Sequence, residues 1–341
     1  ALGEAYMDGG LVIENDDLEG LLRIVLWNRS SGNAIWWRKL ADGVGNAFRF
    51  THQMNLAVRS KSNVAHHYDL SSDLYDLFLD ADRQYSCAYF ETGDESLEAA
   101  QQAKKDLIAR KLLLSPGQRV LDIGCGWGGL AITLARDYGV SVTGVTLSEE
   151  QHTLATRRVA DARLSDQIEI RLIDYRVVSG RFDRIVSVGM FEHVGIPQFR
   201  TYFRKVRELL TDDGIALIHT IGRTSSPRFT SPWIRKYIFP GGYVPTISEM
   251  SKSIEKERLW VADLEVWRLH YAETLRHWRQ RFEANEEKAR LLYDDRFCRM
   301  WRFYLLASES TFRHGWQAVF QFQLSRKLDA VPITRSYLNA V

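Results

Sequence analysis

Val120-Leu121-Asp122-Ile123-Gly124-Cys125-Gly126-Trp127-Gly128-Gly129 decides how this chain folds. Branched apolar residues up to Ile123 read as a β-strand, the Gly-x-Gly-x-Gly run as a tight turn, and Leu130 onward as a helix. Glycines at 124, 126 and 128 leave out the Cβ atoms that would keep a ligand away from backbone, and the helix behind them turns free N–H groups toward it. The stretch is therefore built to hold a nucleoside-bearing cofactor. A turn of purely structural glycines is the competing reading.

The chain around this turn has a regular rhythm. Strands read at 119–124, 141–147, 168–173, 182–188 and 215–221, with helices near 129–138, 148–164 and 197–210 between them. Alternation of this kind marks an α/β fold with a doubly wound parallel sheet, whose ligands bind at the carboxyl ends of the strands. Ahead of it lie an irregular aromatic segment, 66–90, and a helix near 96–114 that stops at Ser115-Pro116-Gly117. Past Gly222 the rhythm breaks into a Pro- and aromatic-rich stretch, 227–245, then helical segments near 248–260, 268–290 and 294–313, and a last strand at 317–325. An insertion at about 223–313 is well placed to roof the ligand edge of the sheet.

Composition narrows the classes. A chain of 341 residues buries one large core or two modest ones, and its net charge of +2 excludes nothing. The charge is unevenly spread: residues 1–20 hold six acids and no Lys or Arg, while Arg23, Arg29, Arg38, Lys39, Arg49, Arg59 and Lys61 face only Asp42. This basic arm also carries Trp27, Trp36, Trp37, Phe48 and Phe50. A solvated helical face, a nucleic-acid contact and an anionic membrane surface are the three readings open to it. No apolar run approaches the roughly 20 residues needed to span a bilayer, and no signal-peptide pattern is present. A soluble or peripheral protein is expected. Cys87, Cys125 and Cys298 are odd in number, widely spaced and free of any Cys-x-x-Cys pattern, which fits a reducing cytoplasm better than a disulfide framework. The chain begins at Ala1 rather than Met, which reads as a trimmed start.

The candidate site residues fall at strand ends. A dinucleotide fingerprint would need Gly-x-Gly-x-x-Gly and an acid about 20 residues on, but the next strand ends in Thr146-Leu147-Ser148. The acid is Asp122, inside the first strand, and Asp-x-Gly-x-Gly is the pattern of S-adenosylmethionine methyltransferases, in which an amino-acid tail lies at the turn. Ser148 with Gln151 forms a capping box, and Gln151 alternatively reaches the ribose hydroxyls. Asp174 and Tyr175 end the third strand, where an acid suits an adenine amino group and an aromatic suits its ring, a plain strand-end Asp being the alternative. The fourth strand delivers Glu192 and His193, and the fifth delivers His219, so two strand tips turn titratable groups into one cleft. The spacing lacks His-Glu-x-x-His or another tight ligand pair, so no metal site is read.

Taken in order, Tyr85 to Phe90, Val120 to Gly129, Gly144 to Ser148, Asp174 to Arg176, Gly189 to Gly195, His219 to Gly222, Phe239 to Tyr243 and His270-Tyr271 resemble the cyclopropane-fatty-acid synthase family, relatives of the mycolic-acid cyclopropane synthases. The resemblance spans roughly residues 60 to 325. It implies a seven-stranded Rossmann-like methyltransferase sheet with a helical, aromatic lid, residues 61–341 being the catalytic domain. Residues 1–60 resemble the end of the family's N-terminal lipid-binding and dimerisation domain, here a short, mostly helical arm. The implied reaction moves a methyl group from S-adenosylmethionine to the cis double bond of a phospholipid acyl chain and closes a cyclopropane ring. The resemblance further implies a bicarbonate ion held by Cys87, Glu192, His219, Tyr271 and the backbone amide of Ile221. For the cofactor it points to Tyr85, Ser86, Gly124, Gly126, Thr146, Leu147, Gln151 and Tyr175, beside Asp122 and Asp174 read above. It also implies an unsaturated phospholipid in an anionic membrane surface as partner, a homodimer, and a cytoplasmic enzyme at the inner face of the membrane.

This chemistry asks for such residues. An alkene is a weak nucleophile, so methyl donor and double bond need alignment in a water-free pocket. Aromatic faces stabilise the carbocation that follows, and a base must take a proton from the new methyl. A same-scaffold enzyme that stops at a methyl- or methylene-branched chain is the near alternative. A nucleic-acid methyltransferase is the remote one; it lacks an Asn-Pro-Pro-Tyr-like motif after the fourth strand and a cationic groove for a flipped base.

Overall fold

The computed structural model describes residues 2–30 and 71–339. The expectations for Trp36, Trp37, Phe48, Phe50 and the basic residues from Arg38 to Lys61 lie outside the described residues. Strands β1 (Arg119–Ile123), β2 (Ser141–Thr146), β3 (Ile168–Leu172), β4 (Phe182–Val188), β5 (Leu210–Arg223), β6 (Trp260–Trp267) and β7 (Gln317–Ser325) form one sheet. Their order is β3-β2-β1-β4-β5-β7-β6. The first five are parallel, whereas β7 runs antiparallel to β5 and β6 antiparallel to β7.

The strands are apolar on both faces because both faces are covered. Side chains alternate across a strand. Val120, Val142, Val186 and Leu217 accordingly meet Ile108, Leu112, Leu130, Leu134 and Val159 of the helices Leu97–Leu112, Gly129–Tyr138 and Glu149–Asp161. Their neighbours Leu121, Val145, Ile185, Ala216 and Ile218 pack against Phe199, Phe203, Val206, Met250 and Ile254 of the helices Phe199–Leu209 and Ile247–Lys256. Each fully buried Val, Leu, Ile, Met or Phe side chain among these contributes about 1.5–3 kcal/mol. A further apolar cluster joins the segment from Leu74 to Phe90 to the helices His270–Ala284 and Asp295–His314, with Phe78, Trp278 and Trp301 at its centre.

Three features differ from the sequence reading. Trp260–Trp267 is a strand of the sheet, so the region expected as a lid, 223–313, is interrupted by β6. As an edge strand with a register break between Val261 and Asp263, it lacks the two-faced burial that betrays a central strand. The sheet is mixed at this edge rather than wholly parallel. β5 also starts earlier than expected, pairing Leu210 with Phe182 before the register shifts.

The arm begins with the helices Leu2–Met7 and Leu18–Ser30. Tyr6, Met7, Leu18 and Leu22 are buried in the cluster around Trp301. Arg299 Nε donates to Met7 O at 2.8 Å, and Arg302 Nη1 pairs with Asp16 at 2.6 Å. The exposed side of the second helix carries Ile24 and Trp27, the latter 71% exposed. Among the described residues no helix is long and apolar enough to cross a membrane.

Gly222 shows how tightly the sheet edge is packed. A Cβ there would lie 1.9 Å from the Phe320 ring of β7. Gly222→Ala is expected to lower unfolding stability by about 1–3 kcal/mol through overpacking. Urea denaturation measures it, and an unchanged midpoint would show that Phe320 yields freely.

Candidate active site

The turn after β1 opens onto a pocket lined by Tyr85, Ser86, Asp122, Gly124, Gly126, Thr146, Leu147, Gln151, Asp174 and Tyr175. All ten residues expected around the cofactor therefore meet in one place. Gly124 (φ +85°) and Gly126 (φ +53°) adopt left-handed backbone that disfavours a side chain. A Cβ on Gly124 would strike Met190 at 2.8 Å, while a Cβ on Gly126 would meet nothing within 4 Å. The open space beside Gly126 is of the kind a ligand needs in order to touch backbone. Asp122 is buried with one carboxylate oxygen lacking a partner, and burial raises its pKa to about 7.

Other pocket residues are committed to one another. Thr146 Oγ1 donates to Gln151 Oε1 at 2.8 Å, and Gln151 N donates to Ser148 Oγ at 3.2 Å. The capping half of the sequence reading is thus present, with the Gln151 side chain turned to Thr146. Asp174 accepts from Arg176 N at 2.9 Å and from its guanidinium at 2.8 and 2.6 Å. These bonds make it a strand-end cap that also lines the pocket. Tyr85 stacks on Trp278 with centroids 5.1 Å apart and shares a hydroxyl hydrogen bond of 2.9 Å with Tyr304.

The other expected residues stand at the ends of β4 and β5 and on segments packed against them. Glu192 lies in the 3-10 turn Phe191–His193 that follows β4, and its Oε1 accepts from Ile221 N at 2.6 Å. Its Oε2 is buried without a hydrogen-bond partner. Desolvation outweighs the amide bond and raises the carboxyl to about 7. The adjacent His193 faces the cofactor pocket and is held down to about 4 by burial. His219, on β5, is fully enclosed, and burial together with the charges of Lys104 and Lys111 pushes its pKa well down. Its ring meets Trp267 edge-on at 5.0 Å, and Trp267 leans on His270 at 5.4 Å, next to Tyr271. Ala88 N donates to Thr274 Oγ1 at 3.0 Å, and Phe90 N to His270 Nδ1 at 3.1 Å, which docks the Cys87 segment on the Tyr271 helix. Cys87 is buried, its thiol pushed far up by desolvation.

Of the five residues expected around the reaction, only Glu192 and Ile221 touch directly in the hydrogen bonds described. The Ile221 amide, expected to bind an ion, is given to Glu192. The sequence reading missed Lys104 and Lys111. Lys104 Nζ is buried and donates to Gln84 Oε1 at 2.7 Å and Ser86 Oγ at 2.9 Å. Burial lowers it to about 8. The signal was present in the helix Leu97–Leu112, where lysines occupy positions that the apolar spacing turns inward. Among the described residues no group of three or more His, Cys, Asp or Glu side chains is placed to hold a metal ion.

The sheet order and a glycine turn that opens a pocket at the carboxyl ends of β1 and β2 define an S-adenosylmethionine-dependent methyltransferase. The solved mycolic acid cyclopropane synthase CmaA1 complexed with SAH and CTAB superposes with a TM-score of 0.73 at 34% identity, covering 77% of this chain and 97% of that one. The chain belongs to the mycolic acid cyclopropane synthetase family, which matches residues 56–322. It is 41% identical over 329 residues to the cyclopropane-fatty-acyl-phospholipid synthase of Escherichia coli K12, covering 94% of this chain and 82% of that enzyme. It is 40% identical over 331 residues to a probable fatty acid methyltransferase of Pseudomonas putida, covering 92% and 79%. The protein is therefore an S-adenosylmethionine-dependent enzyme of the cyclopropane synthase family.

Burial of Glu192 predicts an opposition between stability and activity. Folding raises its pKa from 4.5 to about 7, so between these values the folded state holds the extra proton and stability falls as pH rises. Glu192→Gln lacks this penalty. Relative to wild type it is expected to gain about 2–3 kcal/mol between pH 4.5 and pH 8 while losing activity. Denaturant unfolding at the two pH values measures the gain, and an equal stability difference at both would refute the burial argument.

Proposed function

We propose that this chain transfers the methyl group of S-adenosylmethionine to the cis double bond of an unsaturated phospholipid acyl chain and closes a cyclopropane ring. The observation that carries the reading is Glu192, a buried carboxyl with one oxygen on the Ile221 amide and the other unpartnered, adjacent in sequence to a residue of the cofactor pocket. The cofactor supplies an electrophilic methyl group. Gly124 and Gly126 would admit its amino-acid tail, Gln151 and Asp174 its nucleoside, and Tyr175 would flank its ring.

The residues expected around the reaction fit a small anion. With its pKa raised to about 7, Glu192 is partly protonated at neutral pH and in that form can donate a hydrogen bond. Cys87 stays a neutral thiol, Tyr271 brings a hydroxyl, and His219 is uncharged. Bicarbonate, when bound there, would supply the base that takes the proton from the transferred methyl. Glu192, His219 and Tyr271 would orient it, while Tyr85, which lines the cofactor pocket and is backed by the buried rings of Phe78, Trp278 and Trp301, would help exclude water and turn an aromatic face to developing positive charge.

Residues 1–60 would belong to a lipid-binding and dimerisation domain, and 61–341 to the catalytic domain with its lid. The exposed Ile24 and Trp27 support contact with an anionic membrane surface, the basic residues after them supplying charge. A homodimer at the cytoplasmic face of the membrane completes the proposal. A second reading, formation of a methyl- or methylene-branched chain, is favoured by the likeness to the Pseudomonas putida protein.

Mass spectra of phospholipids from an expressing host, before and after mild hydrogenation, separate the two. A CH2 gain that resists hydrogenation, and that falls by about 10²-fold or more in Glu192→Gln, is expected for ring closure. A gain that takes up hydrogen marks a methylene product, and absence of any gain would end the lipid reading. Purified enzyme stripped of dissolved carbonate is expected to slow and to recover on adding bicarbonate. An unchanged rate would remove the ion from the mechanism.

A further inference from the structure

His219 sits in a chain of buried polar groups that leaves it one protonation state. Lys111, from the helix Leu97–Leu112, has a fully buried ammonium paired with the Glu265 carboxylate of β6. The same Nζ donates to Gln321 Oε1 at 2.6 Å. An ammonium has only protons to give, so the amide oxygen of Gln321 must face Lys111. The amide nitrogen of Gln321 then lies 3.0 Å from His219 Nδ1. It too can only donate, so Nδ1 accepts and the ring proton resides on Nε2.

The neighbouring backbone holds this arrangement in register. His219 and Gln321 are cross-strand partners in the β5–β7 ladder. Gln323, two residues along on the same face of β7, donates to Lys111 O at 2.6 Å, and its own Oε1 accepts from Tyr337 at 2.8 Å. Lys111 is thereby fixed at both its backbone and its ammonium. Protonating Nδ1 would break the Gln321 bond and set a third buried cation beside Lys104 and Lys111.

We propose that Lys111 and Gln321 lock His219 in the neutral Nε2–H tautomer, so that it serves the reaction site as a hydrogen-bond donor and never as its base. Lys111 and Gln321 are positioning residues acting through His219. The donor role toward bicarbonate rests on the function proposed above; the tautomer does not. A carboxylate at position 321 would do the opposite, accepting a hydrogen bond from Nδ1–H and leaving Nε2 as a bare acceptor.

The test is nitrogen-15 NMR of the full chain labelled at histidine, the His219 signals being assigned by their loss in His219→Asn. Wild type is expected to show Nδ1 as a bare nitrogen and Nε2 as protonated. In Gln321→Glu, Nδ1 is expected to become protonated, and the apparent KM for bicarbonate to rise at least tenfold. Lys111→Met is expected to mix the two tautomers. A wild-type spectrum with Nδ1 protonated overturns the proposal by itself, even if a variant fails to fold. So does a Gln321→Glu spectrum identical to wild type. A tautomer that changes while the bicarbonate KM stays constant overturns the donor role and counts against the ion in the proposed function, leaving the lock in place.

Discussion

The hydrogen bond from Ile221 N to Glu192 Oε1 is the constraint around which the site is arranged. Gly189 N bonds His219 O at 2.9 Å and Tyr243 N bonds Glu192 O at 2.9 Å, so the tip of β4 is held to β5 and to the segment beyond it. The 3-10 turn between these points sends consecutive side chains to different places: His193 to the cofactor pocket, Glu192 toward β5. A charge-assisted hydrogen bond contributes about 1.5–3 kcal/mol, whereas burying a carboxylate costs several kcal/mol even after relaxation. Desolvation wins, which is why the Glu192 pKa rises although its best partner favours the ionised form. A carboxyl poised in this way can change protonation near neutral pH without moving.

The helix Leu97–Leu112 serves both halves of the site. Lys104 and Lys111 are seven residues apart and share a face. Lys104 braces Gln84 and Ser86 at the cofactor pocket, and Lys111 braces Gln321 behind His219. Each buried ammonium is expensive, and each is retained with specific acceptors. A displacement of this helix would disturb the cofactor wall and the His219 tautomer together, so the two halves are mechanically coupled through one rigid element.

What the sequence made legible follows from locality. The glycine turn and the parallel strands reveal themselves within a few residues, because φ > 0 needs glycine and a strand covered on both faces is apolar throughout. Asp122, Gly124, Gly126, Gln151, Asp174 and Tyr175 were legible too, since they fall at or just past the ends of β1, β2 and β3, which the strand order puts side by side, whereas Tyr85, Ser86, Thr146 and Leu147 came through the resemblance. β6 was hidden because an edge strand with a register break and half-exposed side chains has no strong pattern. Lys104, Lys111 and Gln321 were hidden for another reason. Their partners lie across the fold, Lys111 and Gln321 being 210 positions apart, so although the apolar spacing of the helix turns both lysines inward, nothing near them in sequence shows what they bind. Glu192 and His219 were legible as titratable groups at adjacent strand tips, whereas Cys87 and Tyr271 were joined to them only through resemblance.

The protonation states around the site share one physical logic. A sulfonium methyl donor alkylates accessible nucleophiles, of which a thiolate is the most reactive. Cys125 lines the cofactor pocket and Cys87 lies near the reaction group, and burial pushes both thiols far above neutral pH. Tyr85, also on the cofactor pocket, is likewise held as a phenol by desolvation and by its tyrosine neighbours. His219 offers Nε2–H rather than a bare nitrogen if its Nδ1 is committed to Gln321. The same burial that disarms these groups also deprives them of the power to take a proton from the substrate. On the proposed reading this leaves the base to an exchangeable ion, which a methylating site can lose and replace without damage to the chain.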